Sequence, residues 1–145
     1  MTQSSASSGR SRGTHEGRGA RVLMVEDNAS LRELYGTLLG EAGYDIECVA
    51  SGAEAVDRSN RGPALDALIV DIQLEDIDGL AVARQILERQ PGLPVVIHSG
   101  FPGYKEDFGA WCADAFVVKS TDCSALTRCL DRVLDQRRAK AENPR

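Results

Sequence analysis

The sequence has no apolar stretch approaching the roughly 20 residues needed to cross a bilayer. Its N-terminus also lacks the apolar segment of a secretory signal. A cytoplasmic location is the expectation. An excess of positive charge is missing too: 17 Lys and Arg stand against 22 Asp and Glu, a formal net charge of −5. Nucleic acid is therefore a poor direct partner, because phosphate binding depends on clustered cations. The cysteines (Cys48, Cys112, Cys123 and Cys129) include no C-x-x-C pair and have no His at metal-ligand spacing. Neither zinc nor a disulfide framework is called for. Cys112, Cys123 and Cys129 sit among apolar neighbours in or near helical segments and read as small buried hydrophobes. With 145 residues, the chain has room for one domain with flexible ends and little for a second module.

Residues 1–20 are rich in Ser, Gly and Arg without apolar periodicity, so they cannot bury enough surface to offset their ordering entropy. A disordered polar, basic tail is expected there, with His15 solvated within it. From Arg21 the texture changes. Val22 to Val25 is a continuous apolar run, as in a parallel strand buried on both faces. A helical pattern follows, with Leu31, Leu34, Tyr35, Leu38, Leu39 and Ala42 on one face, Asn28 or Ser30 as its cap and Gly43 as its end. Tyr44 to Ala50 suits an outer strand, and Ala53 to Ser59 a short helix ended by Asn60, Gly62 and Pro63. The unit then recurs. Strands are predicted over Ala67 to Val70, Pro94 to His98 and Phe116 to Val118. The intervening helices carry Leu80, Ala83, Ile86 and Leu87, and then, over Tyr104 to Ala113, Phe108, Trp111 and Cys112. A last amphipathic helix carries Leu126, Cys129, Leu130, Val133 and Leu134 and ends near residue 138, leaving a frayed end over residues 139–145. Five strand–helix repeats with near-continuous apolar strands imply an α/β fold: a doubly wound, five-stranded parallel sheet of flavodoxin-like (βα)5 type over residues 21–138.

Ligands bind such sheets at the carboxyl ends of the strands. Glu26 and Asp27 follow the first strand, Asp71 the third, Ser99 the fourth and Lys119 the fifth. Acidic residues at strand ends are often no more than caps of the next helix, Ser a turn residue and Lys a surface charge. Here they converge on one rim from segments spread over almost a hundred residues of sequence, which chance explains poorly. Crowded carboxylates at neutral pH must bind a cation or hold a proton. A hard-oxygen set favours Mg2+ (or Mn2+) over zinc, and Mg2+ commonly joins one or two carboxylates to a phosphate. Lys119 can neutralise phosphoryl oxygens from another side, Ser99 can hydrogen-bond one, and a carboxylate can itself accept a phosphoryl group.

The segments VLMVEDN (Glu26, Asp27), LIVDIQLEDIDG (Asp71, Asp78, Gly79), VVIHSG (Ser99) and FVVKS (Lys119) together resemble the receiver domains of two-component response regulators, over about residues 20–137. The resemblance implies that Asp71 is the phosphoacceptor. It implies that Glu26, Asp27, Asp71 and the backbone carbonyl of Gln73 hold Mg2+, that Ser99 and Phe116 form the switch, and that Lys119 is the conserved cation. The implied partners are a sensor histidine kinase or histidine phosphotransfer protein. Downstream, a protein would read the face of the fourth helix, fifth strand and fifth helix. Three departures stand out: Glu75 and Ser120 replace usual prolines, and Phe116 stands where Tyr is common. A trans bond before a non-proline residue is favoured by about 2.5–4 kcal/mol, so the loop after Lys119 is expected to differ. Phe101 is expected to shield an acyl phosphate from water.

Only AKAENPR follows the last predicted helix, so output is expected through protein contact or phosphoryl relay, not through a DNA-binding or turnover module. Met1 and the polar tail favour a complete chain. The principal rival is a receiver-fold scaffold that works without phosphorylation. A flavin protein is opposed by the acidic EDNASL segment, which lacks a phosphate cradle. A phosphate-ester hydrolase would reveal itself by sustained turnover.

Overall fold

The apolar runs become strands and the 3.6-residue patterns between them become helices. The computed structural model describes residues 19–100, 113–120 and 123–142. In chain order the elements are β1 (Arg21–Val25), α1 (Ala29–Glu41), β2 (Asp45–Val49), α2 (Gly52–Arg61), β3 (Ala67–Val70), α3 (Gly79–Arg89), β4 (Val95–Ser99), β5 (Ala115–Val118) and α4 (Ser124–Glu142). The helix predicted over Tyr104 to Ala113 lies outside the described residues except for Ala113. So do His15, Phe101 and the rest of residues 1–18. The helix labelled α4 is thus the fifth of the sequence prediction.

The five strands run parallel in the order β2-β1-β3-β4-β5. The chain goes outward from β1 to β2, then crosses back over β1 to β3, so the reversal of winding falls between β1 and β3. A crevice opens there at the carboxyl ends of the strands. Period-2 alternation splits each strand between two cores. Val22 and Met24 face a core shared with Tyr35 and Leu39 of α1 and with Leu126, Leu130 and Val133 of α4. Leu23 and Val25 face the other, with Ala55 of α2 and Val82, Ala83 and Ile86 of α3. Burial on both faces is why the runs Val22–Val25, Ala67–Val70 and Val95–Ile97 are apolar at every position.

Local chemistry sets the ends. The Asn28 side chain accepts a hydrogen bond from Leu31 N at 2.9 Å and starts α1. Gly43, at φ 102, turns the chain out of it into a region that strains other residues. Ser51 Oγ accepts from Glu54 N to start α2, and the Asp78 carboxylate accepts from Leu80 N to start α3. Four expectations need correction. Asn60 does not end α2, which runs to Arg61 with Gly62 as its cap. Leu34 is 40% exposed, at the outer edge of the α1 stripe. Ser99 belongs to β4 itself. The last helix does not end near residue 138 but continues to Glu142, because Arg137 donates to the carbonyls of Leu65 (3.3 Å) and Asp66 (2.8 Å) and ties its final turns down. Cys129 is buried as expected, Cys48 and Cys123 are partly buried, and all three are free thiols. Cys112 lies outside the described residues.

Candidate functional site

The register of β1 on β3 pairs Val25 with Val70, so the next residues, Glu26 and Asp71, leave the sheet side by side. From β5, Lys119 reaches into the same crevice, held at its backbone by a hydrogen bond from Lys119 N to Ser99 O at 2.8 Å. Its ammonium stands 2.6 Å from Glu26 Oε1 and 2.7 Å from Asp71 Oδ2. These side chains are only 15%, 3% and 9% exposed, respectively. Burial works to lower the Lys119 pKa, but the hydrogen bonds and charges of Asp71 and Glu26 outweigh it and raise the value above the ordinary lysine range. The ammonium is therefore charged at any physiological pH. One buried cation shared by two carboxylates meets the condition under which such charges leave water at tolerable cost.

The remaining atoms of these groups are also engaged. Asp71 Oδ1 accepts from Gln73 N at 3.0 Å, and Glu26 Oε2 accepts from Asn28 N at 3.2 Å. Asp27 stands nearer the surface, where its Oδ2 accepts from Glu75 N at 3.0 Å. Behind the acidic turn, Arg32 donates to the carbonyls of Glu26 (2.9 Å) and Asp27 (3.4 Å) and fixes the backbone that carries both acids. Gly79 permits the close return of the chain: a Cβ there would lie 1.9 Å from the Asp71 carbonyl oxygen.

Glu26, Asp27 and Asp71, the expected metal ligands, all lie at this crevice, with Glu26 on the side of Lys119. Among the described residues, no three His, Cys, Asp or Glu side chains are grouped to hold one ion, and Glu26 is engaged by Lys119 at 2.6 Å. Asp27, nearer the surface, and Asp71, at the floor of the crevice, present a pair of hard carboxylates. That set fits Mg2+, which keeps several waters and uses one or two carboxylates, better than an ion that demands a full protein cage.

Ser99 is fully buried at the end of β4. Phe116 pairs in register with Ile97 and packs against the core under α2 and α3, on the sheet face to which Ser99 also belongs by period-2 alternation. No cis peptide bond occurs among the described residues, the Lys119–Ser120 bond included, as the loss of proline predicts. The Ser120 carbonyl instead accepts from Tyr35 Oη at 3.3 Å. The Tyr35 ring also meets His98 edge to face, with centroids 4.8 Å apart. His98 is buried, and burial together with the nearby Lys119 charge pushes its pKa down to about 4.

Arg32, Tyr35, His98 and the Glu75 amide were not singled out from the sequence as parts of the site. Arg32 and Tyr35 lie one and two helical turns past the acidic pair, a spacing that offered a signal. A backbone amide offers none.

Comparison with known proteins shows the family. The chain matches the family model for the response regulator receiver domain over residues 22–131, and it belongs to that family. Phosphorylation and Mg2+ are typical of the family. The transcriptional regulatory protein GlrR of Escherichia coli is 31% identical over 119 residues, covering 81% of this chain and 27% of GlrR. The chain thus spans about a quarter of the length of this curated relative. Among solved structures, the response regulator TrrA of Thermotoga maritima, in complex with Mg2+ and BeF, is 32% identical with a TM-score of 0.73, covering 79% of this chain and 98% of TrrA. The receiver domain of a Pseudomonas aeruginosa sensor histidine kinase, with a magnesium ion in its active-site cleft, is 26% identical with a TM-score of 0.72, covering 81% and 98%. No helix among the described residues is long and apolar enough to cross a membrane.

Proposed function

We propose that this chain is a phosphorylation-dependent signalling switch in which Asp71 accepts a phosphoryl group from a sensor histidine kinase or a histidine phosphotransfer protein. The observation that carries this reading is the Asp71 carboxylate at the floor of the crevice, one oxygen 2.7 Å from the Lys119 ammonium. In the transfer, a carboxylate oxygen of Asp71 forms a bond to phosphorus while the bond from phosphorus to the donor's imidazole nitrogen breaks, and that nitrogen keeps the electron pair. Lys119, already charged, moves from carboxylate to phosphoryl oxygens without a proton changing hands. Glu26, Asp27, Asp71 and the backbone carbonyl of Gln73 would hold Mg2+ (or Mn2+), which supplies positive charge against the phosphoryl oxygens when bound. Glu26 contributes charge and holds Lys119 in place. Ser99 donates its hydroxyl to the phosphoryl group, and Phe116 fills the space that Ser99 leaves, by packing alone.

The new charge is then read by a protein partner on the β5–α4 face, where Phe116, Val118, Ala125, Arg128 and Arg132 line an open groove. In this reading the chain acts in the cytoplasm, contacts no nucleic acid or membrane and turns over no substrate.

The test is intact-mass measurement after incubation with acetyl phosphate. One added phosphoryl group is expected in the wild type with Mg2+, and none in Asp71→Asn or without Mg2+. An unmodified wild type that also fails to bind beryllofluoride would favour a phosphate-independent scaffold, the reading left open by Glu75 and Ser120.

A further inference from the structure

The loop between β3 and α3 is fastened by two consecutive residues. Glu75 N donates to Asp27 Oδ2 at 3.0 Å. The next side chain, Asp76, accepts from Gly52 N (3.0 Å) and Ala53 N (3.1 Å) at the start of α2. The first of these bonds exists because residue 75 is not proline, since a proline nitrogen carries no hydrogen. The second keeps the loop from swinging the Glu75 amide away. Asp27 lies 48 residues before Glu75 in the chain, so the contact is made by the fold and not by local turn geometry.

From this geometry we propose that the backbone amide of Glu75 is a positioning donor for Asp27, holding its carboxylate ready for the divalent cation. The proposal rests on the phosphoacceptor reading above. A carboxylate on a surface turn samples several rotamers, and a cation must select one of them. A hydrogen bond to a single oxygen makes that selection beforehand and leaves lone pairs on both oxygens for a ligand. The bond is charge-assisted, hence stronger than one between neutral groups. Ligands held in this way bind metals more tightly, and losing such a partner typically weakens affinity about 10–100-fold. Asp76 serves Asp27 at one remove: by anchoring the loop on α2 it fixes where the Glu75 amide stands.

The comparison that isolates the amide is Glu75→Pro against Glu75→Ala, since both lose the side-chain charge and only the first loses the N–H. Mg2+ affinity is read by titration of backbone amide chemical shifts, without any phosphodonor. Glu75→Pro is expected to bind Mg2+ about 10-fold more weakly than Glu75→Ala. In the metal-free wild type the Glu75 amide should exchange slowly with solvent, and faster in Asp27→Ala. Equal Mg2+ affinities of the two Glu75 variants, or a Glu75 amide that exchanges at the free-peptide rate, would overturn the proposal and leave the phosphoacceptor reading standing. Absence of Mg2+ binding in the wild type would overturn both. If Glu75→Pro does not fold, Asp76→Ala replaces it: faster exchange at Glu75 should then accompany weaker Mg2+ binding, and faster exchange with unchanged affinity refutes the idea.

Discussion

Lys119 separates two carboxylates that would otherwise face each other across the gap between β1 and β3. Removing it leaves Glu26 and Asp71 buried without their shared counter-ion, a change that typically costs about 3–5 kcal/mol. Lys119→Met should therefore lower the urea midpoint strongly in the absence of Mg2+. Added Mg2+, which favours the folded state it binds, should recover part of the loss. His98 makes a separate, pH-dependent contribution. It is 3% exposed and stays neutral when folded until the pH falls to about 4, whereas its ordinary value is 6.5. Between those values the unfolded chain takes up a proton that the folded chain refuses, so stability falls as the pH drops through this window, by on the order of 3 kcal/mol. Urea unfolding of His98→Leu beside the wild type should show the variant losing less stability over the same range. At this scale the sequence was informative about which residues gather and silent about how they aim. Glu26, Asp71 and Lys119 follow from strand ends alone, but that one ammonium is shared between Glu26 and Asp71 depends on distances that no one-dimensional pattern carries.

The elements are joined at the crevice by contacts with little tolerance. At Gly79, where α3 begins, a methyl group would run into the backbone of Asp71 and Ile72, and backbone cannot rotate aside. Gly79→Ala should cost more than about 2 kcal/mol, at the upper end of ordinary single substitutions, and should slow phosphoryl uptake because relief of the clash displaces Asp71. Denaturant titration and acetyl phosphate labelling of the same preparation check both. Asn28→Ala, which removes the cap of α1 just after the acidic pair, should cost about 1 kcal/mol by the same titration. Strand positions were legible because burial on both faces leaves a continuous apolar run. Helix ends were less so. Asn60 reads as a stop signal yet lies within α2, and the last turns of α4 look too polar to persist. What holds them is Arg137 bonding to carbonyls that precede β3, a tertiary contact invisible to periodicity.

At the scale of the whole molecule, α4 packs on β4 and β5 and closes the core they share with β1 and β3. Leu130 is fully buried there beside Tyr35, Val96 and Leu126, and Leu130→Ala should cost about 2–5 kcal/mol, measured as a shift in the urea midpoint. The order of the strands was legible only as a class. That the strands alternate with helices fixes a parallel sheet, and the chain's reversal between β1 and β3 then decides where the crevice opens.

Both described ends of the fold lie at the opposite pole. Gly19 is tied to Gly43 just ahead of β2, and Arg137, near the end of α4, is tied to residues just ahead of β3. The sheet thus has a foot, where the chain enters and leaves, and a crown, where the reactive groups meet. Any attachment made through Gly19 or Glu142 holds the molecule by its foot. A tether to a bead, a sensor chip or a neighbouring protein would leave the crown facing outward, open to a phosphodonor.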